Sequence, residues 1–352
     1  AGTSLAGSHE VHGKVLGEEE TLKLKQTLNL PENTFYVPDD VVNYLRKEIN
    51  VRYQKYFYEW DDLYKKYIEE KYNGKYNLFN NIVNSRFNIN VNNMNWDYII
   101  NEKDALRDTN GKMMLKLSEA ISTFVGGSAD LASSTKTYLT DKPDVTKENY
   151  NGQNIWFGVR EHGMAAIMNG LALAGFRPFG STFLTFADYQ KPAIRLSALM
   201  NVPVTYIYSH DSISIGPDGP THQPIEHLAM LRSIPNMRVF RPADAHELIG
   251  CWNEILNNRK PNSLVVSRNP VGLIKTTKAD GVKYGAYRIL GDSDKMDAII
   301  IATGSEVQVA FNIGIQLYKE YGVQCHIISM PSMELFLEQP KEYQEKLLPK
   351  NV

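Results

Sequence analysis

Between residues 204 and 267 short apolar runs and helix-length amphipathic segments take strict turns, and this alternation restricts the fold more than any other feature of the chain. Residues 204–208 read as a strand, 225–231 as a helix, 237–240 as a strand, 243–257 as a helix, and 264–267 as a strand that ends in Arg268. Parallel strands need crossovers of a dozen or more residues, usually helical. The order therefore predicts an α/β fold, a mostly parallel sheet flanked by helices. Upstream, residues 154–157 read as a short buried strand, and Met164, Ile167, Met168, Leu171 and Leu173 recur at helical spacing up to Gly175. Residues 113–125 read as a buried helix running into a tight turn, Gly126-Gly127-Ser128-Ala129-Asp130-Leu131. A second alternating unit begins near Gly285. Residues 297–302 are its first strand, Ser305 and Gln308 form a capping box, a helix runs to about Tyr321, and residues 323–329 are the next strand. One crossover cannot cover both faces of a sheet, so this unit should carry an adhesive apolar side.

The segment 38–72 is long, charged and helical, with Asp39 and Asp40 after Pro38 as its start. Its Tyr44, Tyr53, Tyr56, Tyr58, Trp60 and Tyr64 are spaced to cover a core or a partner. Residues 72–96 are rich in asparagine and read as a solvated linker. Both ends, Ala1 and Val352, read as cut.

With a net charge of −2 there is no electrostatic case for nucleic acid or an anionic membrane. The longest apolar run, 298–302, is too short to span a bilayer, and no secretory signal is visible at the N-terminus. Cys251 and Cys325 stand far apart in no metal-ligand pattern, which fits reduced, packed thiols in a reducing compartment.

Several residues carry candidate chemistry. Glu161, in Phe157-Gly158-Val159-Arg160-Glu161-His162-Gly163-Met164, sits where an apolar strand gives way to a helix. A carboxylate there is poorly solvated, so its pKa should rise toward the range that suits a general acid. The same position equally suits a carboxylate facing the helix dipole. His9 and His12, in the glycine-rich opening loop, are placed for a phosphate, for a metal, or for plain surface. Phe183, Phe186 and Tyr189, three residues apart, put rings on one helical face, either to stack on a flat heteroaromatic or to fill a core. The turn at Asp130 either faces backbone amides to a ligand or merely links strand to helix. Residues 209–224 bring His210, Asp211, Asp218 and His222 among glycines and prolines after a strand, where open α/β sheets place ligands. Arg268 at a strand's carboxyl end can hold a phosphate by its fork of donors, or form a surface ion pair.

In their order along the chain, GGSADL, GVREHGM, STFLTFADY and HDSISIGPDGPTHQP closely resemble the transketolase family of thiamine diphosphate enzymes. The resemblance implies a thiamine diphosphate-binding fold. It divides the chain into the tail of a diphosphate-binding domain at 1–17, a helical and Asn-rich linker at 18–105, a pyrimidine-binding domain at 106–275, and part of a C-terminal α/β domain at 283–352. It implies that the magnesium or calcium ligands, in a Gly-Asp-Gly segment, lie outside this chain, so no metal ligand is assigned here. It further implies a homodimer whose cofactor lies between subunits, sugar phosphate substrates, a cytoplasmic location, and a chain that is incomplete and inactive alone. By resemblance, Glu161 hydrogen-bonds the aminopyrimidine, and Phe183, Phe186 and Tyr189 line its pocket, with Phe186 stacking. Asp130 lies near the thiazolium, and His12 near the diphosphate and the donor carbonyl. His210 and His222 contact substrate, Asp218 recognises the sugar's C2 hydroxyl, and Arg107, Ser134 and Arg268 hold its phosphate. Two motifs depart from the family: Thr-Arg-x-x-Ser reads Leu106-Arg107-Asp108-Thr109-Asn110, and Ser133 replaces a proline in GGSADLAPS. The alternatives are another thiamine diphosphate enzyme, such as dihydroxyacetone synthase or deoxyxylulose-phosphate synthase, or a non-catalytic relative.

Overall fold

The computed structural model describes residues 2–69, 79–80, 82–83, 89–291 and 295–350, and the chain divides into two units, Ala1–Tyr76 and Asn77–Val352. The first is helical. Its glycine-rich opening is not a plain loop, because Ser8 accepts from the Glu10 amide at 3.2 Å and caps a 3-10 turn, His9–His12. A helix follows at Gly17–Thr27, its first turn acidic as the helix dipole favours. The long segment forms one helix, Asp39–Glu69, while residues 70–72 lie outside the described residues. Tyr44, Tyr53, Tyr56, Tyr58 and Trp60 are all exposed, so among the described residues they line no core. Instead Trp60 stacks on Tyr64 four residues along, with ring centroids 4.8 Å apart.

In the second unit the strands are, in chain order, β1 (Lys103–Ala105), β2 (Phe124–Ser128), β3 (Asn154–Trp156), β4 (Arg177–Phe183), β5 (Thr205–Ser209), β6 (Arg238–Phe240), β7 (Asn262–Val265), β8 (Pro270–Gly272), β9 (Tyr287–Leu290), β10 (Ala298–Ala302) and β11 (Cys325–Ser329). Six of them form one parallel sheet in the order β3-β2-β4-β5-β7-β6. Successive residues alternate between its two faces. Ile207, Phe240 and Leu264 join the core on one side, with Met113, Met114, Leu117 and Trp252; Tyr206, Tyr208, Val239 and Val265 join the core on the other, with Met164, Met168 and Ile194. Both faces are buried, which is why the strands read as continuous apolar runs rather than alternating ones. Tyr208 and Tyr206 direct their hydroxyls to Gln190 at 2.7 Å and Ser197 at 3.2 Å, so neither buried phenol is left without a partner.

Four expectations are corrected here. The helix placed at 113–125 runs earlier, Leu106–Ala120, and Gly126, Gly127 and Ser128 belong to β2 rather than to a turn. A Cβ on Gly126 would stand 1.8 Å from the Phe179 carbonyl oxygen, and one on Gly127 1.9 Å from that of Ile155, so close approach of the flanking strands is what requires these glycines. Much of the Asn-rich segment lies outside the described residues, but its described end is no solvated linker. Val91 and Trp96 are buried in the core beside helix Ala245–Leu256, and the Trp96 indole donates to the Val91 carbonyl at 2.8 Å. Ser305 caps nothing: its backbone is helical and its hydroxyl is spent on Asp211 and Glu306, while Gln308 bonds Asn312.

Of the remaining five strands, β1 and β8 pair antiparallel, and the other three form a small sheet, β10-β11-β9, with β10 and β11 parallel across helix Glu306–Tyr321 and β9 antiparallel to β11, a pairing the sequence did not suggest. Edge strand β10 is only half-buried, and Ile301 is exposed. Cys251 and Cys325 are buried free thiols. Among the described residues no helix is long and apolar enough to cross a membrane.

Candidate active site

The carboxyl ends of the parallel strands deliver most of the candidate residues to one edge of the sheet. Phe183 is the last residue of β4, Phe186 ends the 3-10 turn Leu184–Phe186, and Tyr189 lies on helix Ala187–Met200. The three rings therefore do not share one helical face, as their spacing suggested; the chain changes conformation twice between them. They still form a series, with centroids 5.7 Å apart from Phe183 to Phe186 and 6.1 Å from Phe186 to Tyr189. Phe183 is buried, Phe186 half-buried and Tyr189 exposed, so the series runs outward from the core.

After β5 comes His210, at φ 61°, a left-handed backbone uncommon outside glycine. Its ring lies against Phe183 with centroids 3.7 Å apart. Nδ1 shares a hydrogen bond of 2.9 Å with the Ser209 hydroxyl, and Nε2 stands 3.5 Å from Asp218. Burial, with Arg107 and Arg268 nearby, pushes its pKa down to about 4, against the weaker pull of Asp218, so the imidazole is neutral near pH 7. His222 is half-buried, its ring 5.4 Å from Phe186 and 5.6 Å from Phe183, with Nδ1 bonded to Thr221 at 2.8 Å.

Two arginines reach this cluster from different elements. Arg107, at the start of helix Leu106–Ala120, takes its amide to the Ser267 carbonyl and donates from Nη1 to the Ser134 carbonyl at 3.0 Å, bringing three candidate segments together. Arg268 donates to the Ile215 carbonyl at 2.9 Å and places Nε 3.5 Å from Asp218. In both arginines Nε is buried without a hydrogen-bond partner. Each Nε instead faces a carboxylate, Asp108 at 3.7 Å from Arg107 and Asp218 at 3.5 Å from Arg268, and the two half-buried guanidinium groups beside a neutral histidine still offer an anion positive charge and Nη donors.

Glu161 is the first residue of helix Glu161–Leu173, which packs on helix Ala187–Met200 through a 2.9 Å bond from Asn169 to the Ala193 carbonyl. Its carboxylate is half-buried and accepts no hydrogen bond from the described residues. Asp130 follows β2, exposed, with φ 62°. His12 lies in the other unit, exposed on its 3-10 turn. The rings and unpaired carboxylate suit a flat nitrogen heterocycle, and the two arginines suit a phosphate, so the residues fit a thiamine cofactor and a phosphorylated substrate.

Sequence reasoning missed two groups. Arg241, after β6, is buried against Asp211 at 2.8 Å and also pairs with Glu306; a lone arginine after a strand gives no signal of such a partner far along the chain. Asp188, Glu226 and His227 hold ligand-capable atoms within 4.8 Å of one another, with a carboxylate at each ring nitrogen. Adjacent Glu and His in the sequence hinted at half of that trio.

The comparisons with known proteins bear on the whole chain. Residues 1–87 match the family described as transketolase, thiamine diphosphate binding domain; residues 102–272 match transketolase, pyrimidine binding domain; and residues 285–352 match the transketolase-like C-terminal domain. A transketolase of Aquifex aeolicus is 40% identical over 359 residues, covering 100% of this chain and 51% of that protein. The solved transketolase of Leishmania mexicana aligns with a TM-score of 0.88 at 34% identity, covering 99% of this chain and 52% of that one. That of Pichia stipitis, in complex with sedoheptulose 7-phosphate, aligns with a TM-score of 0.87 at 32% identity over the same shares. The chain spans about half the length of the curated relatives it matches. Three adjoining domain matches, together with a shared fold over nearly the whole chain, show that it belongs to the transketolase family.

Proposed function

We propose that this chain carries the pyrimidine-binding side of a transketolase active site. The reaction moves a two-carbon ketol unit from a ketose phosphate, xylulose 5-phosphate, to an aldose phosphate, ribose 5-phosphate or erythrose 4-phosphate, in the pentose phosphate pathway. The observation that carries this reading is the convergence of two half-buried arginines, Arg107 and Arg268, on a neutral His210 that lies against Phe183. When bound, thiamine diphosphate supplies the electron sink that holds the two carbons in transit.

The protein supplies binding and proton placement. Phe183, Phe186 and Tyr189 would hold the pyrimidine, with Phe186 the stacking ring, and the unpaired Glu161 carboxylate would hold a proton for a ring nitrogen. By the family resemblance, Asp130 would serve the thiazolium, and His12 would serve the diphosphate and the donor carbonyl. Arg107, Ser134 and Arg268 take the sugar phosphate, and their remote binding energy orients the reacting carbons. Asp218 accepts from a sugar hydroxyl. His210 and His222 contact the substrate, and a neutral His210 can do so without adding a third positive charge beside the two arginines.

The same reading takes residues 106–275 as the pyrimidine domain and 283–352 as part of the C-terminal domain. It makes the working enzyme a homodimer with magnesium or calcium on the diphosphate, and free, buried Cys251 and Cys325 suit a reducing cytoplasm. The test is ketol transfer by the holoenzyme from xylulose 5-phosphate to ribose 5-phosphate, followed through the glyceraldehyde phosphate released. Glu161→Ala is expected to lower the rate by about 10²–10⁴-fold. An unchanged rate, or turnover only with formaldehyde or with pyruvate plus glyceraldehyde phosphate, overturns the assignment.

A further inference from the structure

Arg241 joins the candidate site to the small C-terminal sheet, and no role given above uses it. Its guanidinium is about 95% buried. Nη2 donates to Asp211 at 2.8 Å and lies 3.4 Å from the Ser305 hydroxyl; Nη1 donates to the Thr303 carbonyl at 2.7 Å and pairs with Glu306. The backbone is tied to the same region: the Arg241 amide donates to the Pro331 carbonyl at 2.8 Å, and the Gly304 amide donates to the Arg241 carbonyl at 3.1 Å. Gly304 has φ 61°, and a Cβ there would come within 2.7 Å of the arginine side chain, so the loop is shaped around the guanidinium.

Asp211 is the point of contact with the site. It is buried, and it immediately follows His210. A left-handed backbone at a non-glycine residue is unfavourable and persists only where its surroundings hold it. On the ring side His210 is held by Phe183, Ser209 and Asp218. On the chain side the next residue is clamped through its carboxylate, and a buried carboxylate cannot leave a guanidinium without a large desolvation penalty.

We propose that Arg241 is a positioning residue of the sugar-phosphate site: by locking Asp211 to the loop 303–306 it fixes the backbone at His210, so that the C-terminal sheet, which supplies none of the candidate residues, sets affinity for the ketose phosphate. The substrate in this statement rests on the transketolase reading; the coupling between loop and histidine does not.

Two variants and two readouts test it. Arg241→Lys keeps the charge but cannot span Asp211, the Thr303 carbonyl and Glu306 together. Glu306→Ala removes one half-exposed carboxylate and leaves the core packing alone. In the holoenzyme, KM for the ketose phosphate is expected to rise about tenfold or more in the first and two- to fivefold in the second, with kcat changed less than KM. In the 352-residue chain the His210 ring nitrogen NMR signals are expected to move in both variants. A purely structural role would lower the melting temperature and leave KM and those signals in place; that result in Glu306→Ala overturns the proposal even if Arg241→Lys does not fold. If the unsubstituted holoenzyme shows no ketol transfer, the functional reading fails, and the His210 signals alone decide the coupling.

Discussion

Acidification should act on this chain through two buried groups of opposite sign, and substitution separates them. His210 has its pKa lowered from 6.5 to about 4, first by burial and then by Arg107 and Arg268. The unfolded chain therefore takes up the proton first, and the stability His210 contributes is present above pH 6.5 and lost as pH falls toward 4. Glu247, fully buried beside Asp244 and bonded to Tyr287, Ser329 and the Ala243 amide, has its pKa raised from 4.5 to about 7. Here the folded chain takes up the proton first, so the contribution is present below pH 4.5 and lost as pH rises through 7. Between about pH 7.5 and about pH 5, each shift changes stability by about 2 kcal/mol, downward for His210 and upward for Glu247. The two nearly cancel in the unsubstituted chain. Urea unfolding followed by circular dichroism at both pH values is the assay. His210→Asn, chosen because asparagine tolerates a left-handed backbone, should gain about 2 kcal/mol relative to the unsubstituted chain on acidification. Glu247→Gln should lose about as much. If His210→Asn tracks the unsubstituted chain at both pH values, the histidine is not held neutral by burial, and the account of the site's charge is wrong.

Two further outcomes follow from packing and recognition. Trp96→Ala should cost about 3–5 kcal/mol, seen as a lower urea midpoint, because removing a buried indole leaves a cavity in the core; a cost below about 1 kcal/mol would return this segment to the status of a linker. Arg268→Lys keeps the charge but loses the planar fork, so KM for the sugar phosphate should rise about tenfold or more while kcat holds, and an unchanged KM would remove Arg268 from phosphate binding.

The parallel sheet and the edge that carries the candidate residues were legible because apolar runs, helical periods and loop chemistry all agree from Thr205 to Arg268. Gly126 and Gly127 were misread because glycine signals a turn locally, whereas here it answers to neighbouring carbonyls that only the assembled sheet brings near. Val91 and Trp96 were hidden by the asparagines around them, since composition averages over the two residues that enter the core. The ring series survived a wrong conformational reason, because a spacing of three also joins a strand end, a 3-10 turn and a helix. Arg241 could not have been found: its partners Asp211 and Glu306 are 30 and 65 residues away.

The strand order has a consequence for synthesis. β7 lies between β5 and β6 yet follows both in the chain. Until residue 265 has left the ribosome, β5 keeps an edge of unpaired backbone N–H and C=O groups and β6 has no neighbour at all, although helices on both faces are already made. A nascent chain halted anywhere in that interval presents an open sheet edge to whatever is near, which makes this stretch of translation the period when a chaperone has most to protect.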